Sequence, residues 1–285
     1  MQVITSKHEL RQAVQAARRA GRAIGLVPTM GALHAGHISL ADAARRAGDY
    51  VVATIFVNPT QFGPNEDFQR YPRPLDADLA ALRAAQVDLV FTPDTSEVYG
   101  PRHATFVEVG GVSGPLEGRC RPGHFRGVAT IVLKLFNMSF PDRAYFGQKD
   151  YQQTLVVRRM VADLDLPIEI CVCPTVREAD GLAMSSRNVY LGADERRQAT
   201  MLYRGLRRAC ELVAGGERDA APLRAAMEAC FREAAGMKLE YLEIVDPESL
   251  SPVAVVDRPA LAVVAAHAGG TRLIDNEFLH PEPRI

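Results

Sequence analysis

The chain has 285 residues, is 47% hydrophobic, and sets 33 Lys and Arg against 34 Asp and Glu for a formal net charge of -1. That length supports one large domain or two ordinary ones, each with its own core. The balanced charge excludes a global positive field able to hold tRNA or DNA, while a local phosphate site stays compatible with it.

The first 25 residues contain no apolar segment of signal-peptide length. No apolar run approaches the roughly 18 residues needed to span a bilayer, so a soluble cytoplasmic protein is expected. Cys120, Cys171, Cys173, Cys210 and Cys230 are an odd set without a C-x-x-C pair. They read as free buried thiols rather than a disulfide framework or a zinc knuckle.

Ser6-x-x-Glu9 forms a capping box that predicts a helix over residues 7–20, stopped at Gly21. A strand follows over 23–29, and residues 39–47 lie within a helix. The run Y-V-V-A-T-I-F-V over 50–57 has the continuous apolar character of a strand covered on both faces. A helix over 74–85 and strands over 87–91 and 105–109 come next, then a Gly/Pro/Arg-rich loop over 110–127. Val128, Ile131, Val132, Leu135 and Phe136 space out an amphipathic helix. Strand 143–146, helix 151–162 and strand 168–172 complete the alternation, which predicts a parallel α/β sheet with right-handed crossovers.

After about residue 176 the pattern changes to helices over 193–214 and 220–235, then strand-like runs over 239–245, 260–268 and 271–276. Gly269-Gly270 between the last two signals a tight hairpin. The expected organisation is a nucleotide-binding α/β domain over 1–175 and a smaller α+β domain over 176–285.

Three strand-end segments carry chemistry. P-T-M-G-A-L-H-A-G-H over 28–37 follows the first predicted sheet strand and opens a helix. Ligands of open α/β sheets sit at such carboxyl ends, where a helix start offers amide donors to phosphate. His34 and His37, three apart, project from one side of that turn, and Gly36 permits close approach of a nucleotide. The alternative is that the two histidines merely cap the helix. Neither a Walker A loop nor a G-x-G-x-x-G is present; the turn resembles the signature of the nucleotidylyltransferases and class I aminoacyl-tRNA synthetases.

The second segment, Gly147-Gln148-Lys149-Asp150, places a lysine point charge at another strand end. The third, Met184-Ser185-Ser186-Arg187-Asn188, offers two hydroxyls and a guanidinium to a polyphosphate. Gln61, after the buried strand, and Gln153, one turn into a helix, are neutral amides suited to a small hydroxy acid whose carboxylate must stay nucleophilic.

These motifs, with F-V-N-P-T-Q-F, R-P-G-H-F-R-G-V, F-G-Q-K-D-Y-Q-Q and P-T-V-R-E-A-D-G-L-A-M-S-S-R-N, resemble the motif set of the pantothenate synthetase family in the same order. E-I-V-D-P and R-L-I-D-N extend the likeness over almost the whole chain. The resemblance implies a Rossmann-like domain of the nucleotidylyltransferase type with a C-terminal lid. It also implies ATP-dependent condensation of pantoate with β-alanine through a pantoyl adenylate, releasing AMP and pyrophosphate.

By the same resemblance, ATP contacts Met30, Gly31, Ala32, Leu33, His34, Ala35, Gly36 and His37, then Gly147, Gln148, Lys149 and Asp150, then Val176, Met184, Ser185, Ser186 and Arg187. His37, supported by His34, Lys149 and Arg187, is the implied catalytic group and proton donor. Pantoate falls to Gln61 and Gln153, with β-alanine beside Gln61, and His124 approaches the site. Mg²⁺ is expected through the phosphates with its protein ligands unassigned; Asp76 and Asp78 read equally well as a solvated helix face. A homodimer is implied. The rival readings are an adenylyltransferase that stops after AMP transfer to a phosphorylated acceptor, an RNA-binding synthetase relative, and a non-catalytic nucleotide-binding regulator.

Overall fold

The structure is a computed structural model that describes residues 1–281. Its backbone contacts divide it into two compact units, Met1–Pro174 and Thr175–Ile285.

The first unit runs β1 (Gln2–Ile4), α1 (Lys7–Arg19), β2 (Ile24–Thr29), α2 (Ala35–Arg46), β3 (Tyr50–Ile55), α3 (Leu75–Ala84), β4 (Leu89–Phe91) and α4 (Thr95–Val98). It continues with α5 (Glu117–Cys120), α6 (His124–Ser139), β5 (Arg143–Gly147), α7 (Tyr151–Asp163) and β6 (Glu169–Cys173). The six strands are all parallel in the order β1-β4-β3-β2-β5-β6. Alternate residues explain the apolar run of β3. Val52 joins the core formed with α1, α6 and α7, while Val51 and Ala53 join the core under α2 and α3. With both faces covered, a polar residue in the middle of this strand would have no exit to water.

The strand order reverses between β2 and β5. From β2 the chain winds outward through β3 and β4, and from β5 it winds the other way to β6. Loops leaving the carboxyl ends of these two neighbours therefore diverge, and the crevice between them is where open α/β sheets bind ligands.

At the opposite, amino ends of the strands, Asp49 is buried, paired with Arg143, and accepts a 2.8 Å hydrogen bond from the Tyr145 hydroxyl. This ties the start of β3 to β5 beneath the sheet.

Several expectations need correction. Residues 105–109 form no strand: the Val107 amide donates to Thr130 Oγ1 at 2.9 Å instead of to a neighbouring strand. The 110–127 segment is not all loop, because it holds α5 and the first turn of α6, which starts at His124 with Phe125 already in the core. Strand β1 and the short α4 appear where no element was expected.

In the second unit, α8 (Ala193–Ala199) and α9 (Met201–Ala214) replace the single helix expected, broken at Thr200. After α10 (Ala220–Arg232), β7 (Met237–Val245), β8 (Ala260–Ala268) and β9 (Thr271–Leu279) make an antiparallel sheet, with Gly269-Gly270 at the β8–β9 turn. Leu202, Leu206, Leu223 and Met227 from the helices pack with Ala262, Val264 and Ala266 from β8. The small side chains on β8 bring helices and sheet close together.

The buried carboxylate gives a stability test. Asp49→Asn leaves Arg143 and Tyr145 facing a neutral amide, and urea unfolding is expected to show a loss of about 2 kcal/mol. An unchanged midpoint would mean that the Arg143 pair contributes nothing to folding.

Candidate active site

The turn between β2 and α2 is built by its own backbone. Gly31 and Ala32 both take left-handed conformations (φ 85° and 50°), so the next amides point the same way. The Ala32 and Leu33 N–H groups donate to the two oxygens of Asp78 at 2.8 and 2.7 Å. Asp78 is buried on α3, whereas Asp76 is exposed. The solvated-face reading therefore holds for Asp76 and fails for Asp78, whose carboxylate fixes the turn. Sequence periodicity gave no sign of this, because a buried Asp and a solvated one share the same helical spacing.

At the start of α2 the two histidines cap the helix reciprocally. The Gly36 N–H donates to His34 Nδ1 at 3.1 Å, and the His34 N–H donates to His37 Nδ1 at 3.3 Å. The rings lie 4.1 Å apart between centroids. A nitrogen that accepts from an amide carries no proton, so in each neutral imidazole the hydrogen sits on Nε2. Both rings are neutral near pH 7. Burial, with Lys149 adding to it, pushes the His34 imidazole down to about 4. Burial, with His34 adding to it, pushes His37 down to about 3.

Capping and ligand binding are thus not alternatives. Capping consumes Nδ1 and presents Nε2–H. The expectation of open amides at this helix start is corrected in part, since Gly36 donates to His34, the His37 N–H to the His34 carbonyl (2.8 Å), and Ala32 and Leu33 to Asp78.

From the other side of the crevice comes the loop after β5. Residues 148–150 form a 3₁₀ turn in which Lys149 Nζ lies 3.4 Å from Asp150 Oδ1. Their charges act on both imidazoles. Strand order thereby brings His34, His37, Lys149 and Asp150 together from segments more than a hundred residues apart in sequence.

Gln61 lies in the 3₁₀ turn Pro59–Gln61 just after β3. Its Nε2 donates to Met30 Sδ at 2.9 Å, and its Oε1 accepts from Asn58 Nδ2 at 3.0 Å. Asn58 is buried and also reaches the Gly127 carbonyl, while its Oδ1 accepts from the Tyr99 hydroxyl at 2.8 Å. The sequence reading passed over Asn58, although Asn before Pro is a recognised turn initiator. Gly127 allows α6 to press on this turn, because a Cβ there would lie 2.2 Å from the Thr60 carbonyl oxygen.

His124 holds Gln61 through the backbone. Its Nδ1 lies 2.8 Å from the Gln61 carbonyl oxygen, which can only accept, so the proton is on Nδ1. Nε2 then accepts from Arg121, which is itself forked onto Glu66 at 2.9 and 2.6 Å. Burial, with the Arg121 charge, pushes this imidazole down to about 4. Gln153 is half-buried in the first turn of α7, and its neighbour Gln152 turns away to hold the Val112 and Pro115 carbonyls, each at 2.8 Å.

Val176 and residues 184–187 belong to the second unit and form their own constellation. The Met184 N–H donates to the Val176 carbonyl at 3.0 Å, and Ser185 Oγ accepts from the Arg187 N–H at 3.2 Å. Among the described residues no group of three or more His, Cys, Asp or Glu side chains is placed to hold a metal, and no helix is long and apolar enough to cross a membrane.

Comparison with known proteins decides the family. Residues 2–278 match the family model described as pantoate-beta-alanine ligase. The chain belongs to that family. A pantothenate synthetase of Roseiflexus sp. (strain RS-1) is 57% identical over 276 residues, 97% of this chain and 98% of the relative. One from Thermotoga neapolitana is 52% identical over 279 residues, 98% of this chain and 100% of the relative. The crystal structure of pantothenate synthetase from Thermus thermophilus superposes with a TM-score of 0.94 at 48% identity, covering 99% of this chain and 100% of that one. A Francisella tularensis pantoate-beta-alanine ligase complexed with beta-gamma ATP and beta-alanine gives 0.82 at 34% identity, with 99% and 100% covered.

The activity is accordingly that of an amide-forming ligase, which makes pantothenate from pantoate, β-alanine and ATP. Membership closes the reading of an adenylyltransferase that stops after AMP transfer, and with it those of an RNA-binding relative and a non-catalytic regulator.

Three depressed histidines make the fold acid-sensitive in a definite direction. Their folded values of about 4, 3 and 4 lie below the ordinary 6.5, so between these limits the unfolded chain binds more protons. Stability therefore falls as pH drops from about 6.5 towards 4. In urea melts across that window the double variant His34→Gln, His37→Gln is expected to lose less stability per pH unit than the parent; an unchanged slope would refute the assignment.

Proposed function

We propose that the ligase works through a pantoyl adenylate formed at the β2–β5 crevice. The observation that carries the reading is the pair of neutral imidazoles whose capping bonds leave both Nε2–H groups for a ligand, with Lys149 acting on them from the facing loop. ATP lies along Met30 to His37 and Gly147 to Asp150 in the first unit, and along Val176 and Met184 to Arg187 in the second. The pantoate carboxylate attacks the α-phosphorus in line, and pyrophosphate leaves. His34, His37, Lys149 and Arg187 stabilise the charge that builds on the phosphates. The neutral amine of β-alanine then attacks the acyl carbonyl, loses its proton and displaces AMP.

His37 acts in this scheme first as a hydrogen-bond donor through Nε2–H. An imidazole pushed down to about 3 has no spare proton to release near pH 7 until a bound triphosphate raises its basicity. Gln61 and Gln153 hold pantoate without a cation that would blunt its carboxylate, and Gln61 also borders β-alanine. Mg²⁺ would be held chiefly through the phosphates, with the Asp150 carboxylate beside Lys149 an oxygen ligand of suitable hardness, and would supply charge neutralisation there. The second unit serves as a lid that keeps water from the mixed anhydride. The enzyme is a cytoplasmic homodimer.

The decisive experiment incubates the enzyme with ATP, pantoate and β-alanine and follows AMP. Without the amine, a stoichiometric burst of pyrophosphate and a trapped adenylate are expected; strict dependence of pyrophosphate release on β-alanine would sink the two-step reading.

Two variants separate the roles. A Gln amide reaches the Nε2 position of histidine and an Asn amide the Nδ1 position. His37→Gln is expected to keep kcat within about tenfold, whereas His37→Asn loses about 10²-fold or more. Equal losses would argue against donation from Nε2. Gly127→Ala pushes the Gln61 turn away and is expected to raise KM for pantoate about tenfold with KM for ATP within about twofold.

A further inference from the structure

The hairpin that leads into the Met184 to Arg187 loop is tied to β9 through the Arg177 guanidinium. Residues 176–184 form a tight hairpin, in which Arg177 and Ala183 pair as an antiparallel bridge, the Glu178 N–H donates to the Leu182 carbonyl at 2.8 Å, and the Met184 N–H closes on Val176. Arg177 leaves this hairpin for β9. Its two terminal nitrogens fork onto the Asp275 carboxylate at 2.6 and 3.2 Å. They also donate to the Gly181 carbonyl at 3.1 Å and to Glu277 at 3.3 Å. The guanidinium plane lies 4.2 Å over the Tyr203 ring, and that ring leaves no room for a side chain at Gly181, where a Cβ would lie 2.0 Å away.

This is a different kind of hold from apolar burial. Leu182 and Ala183 are buried, yet burial is non-directional and tolerates a slide of the strand by a fraction of an ångström. A bidentate fork fixes both distance and orientation, which a lysine point charge cannot do. Asp275 is buried, and removing its partner would strand a charge. Met184 alone separates Ala183, the bridge partner of Arg177, from Ser185, whose Oγ caps the Arg187 amide; Asn188 Nδ2 reaches back to the Ala183 carbonyl at 3.2 Å.

We propose that Arg177 is a positioning residue for the nucleotide-handling step: locked to Asp275, it sets where Ser185, Ser186 and Arg187 stand. The inference rests on the reading above that this loop takes the nucleotide.

The test uses the full-length enzyme and pantoate-dependent ATP–pyrophosphate exchange, with thermal melts alongside. Arg177→Lys is expected to raise KM for ATP about tenfold while KM for pantoate stays within about twofold. A merely structural role would lower Tm and the active fraction, hence kcat, and leave both KM values alone. A folded Arg177→Lys enzyme with unchanged KM for ATP overturns the proposal. Should that variant not fold, Asp275→Asn, nearly the same in shape, decides on the same readouts. Arg187→Ala run in parallel distinguishes the two levels: if it leaves ATP kinetics unchanged, the reading of the loop itself fails, whereas a defect in Arg187→Ala without one in Arg177→Lys or Asp275→Asn removes only Arg177.

Discussion

The site depends on two amide-to-imidazole hydrogen bonds at the start of α2. An α-helix begins with backbone donors that lack intrahelical partners, and proteins commonly leave such donors to a phosphate. Here the chain fills much of that role itself: Gly36 and His34 donate to ring nitrogens, and Ala32 and Leu33 to Asp78. What faces outward is then a pair of Nε2–H groups standing a ring's width beyond the backbone. The donor array of a helix start is moved outward on rigid rings, and their tautomers are set by folding before any ligand arrives. Burial keeps the rings neutral, so the array holds charge by direction rather than by sign.

The same logic governs the turn after β3. The Gln61 amide is held by Met30 and Asn58, and its carbonyl by His124, which is oriented by Arg121 and through it by Glu66. Glu66 is half-buried and Asn58 lies in the core, so one turn is held by two separate chains of hydrogen bonds. The glycine at 127 is what lets the clamp close, since α6 meets the turn backbone to backbone. Arg121 beside the Gln61 carbonyl is already paired with Glu66, so its charge is spent within the protein on that carboxylate and on orienting His124. Preorganisation of this sort removes rotamer entropy that binding would otherwise have to supply.

Features set by near neighbours were legible in the sequence. The Ser6–Glu9 capping box is present with both of its hydrogen bonds, residues 50–57 do begin a strand buried on both faces, and the glycine pair does close the β8–β9 hairpin. Features set by distant partners were not. Nothing local distinguishes Asp78 from Asp76, since only the approach of the Gly31–Ala32 turn to α3 separates them. Residues 105–109 have the composition of a strand but meet a threonine side chain instead of a strand edge. The start of α6 was hidden in a glycine-rich motif that reads as loop. The helix expected over 193–214 breaks at Thr200, where the chain keeps helical angles (φ -62°, ψ -16°) and no local signal marks the interruption. In the candidate site, the H-x-G-H spacing announced two rings on one side of a turn, and strand order supplied Lys149 opposite them. Which ring nitrogen each histidine presents could be read only from the amides it meets.

Neutral imidazoles also suit a two-step reaction better than fixed cations would. A lysine in place of either ring would bind triphosphate tightly, but it would hold the departing pyrophosphate with the same strength and would attract the carboxylate of the incoming acid away from the phosphorus. A neutral donor strengthens as negative charge accumulates on the oxygen it faces and weakens as that charge leaves, so its contribution is concentrated where the charge is greatest. Lys149, whose charge acts on the pair, is partly offset by Asp150 at 3.4 Å. A site built this way would hold a nucleotide by geometry, and the amine that follows would meet an activated carbonyl in surroundings with little net charge.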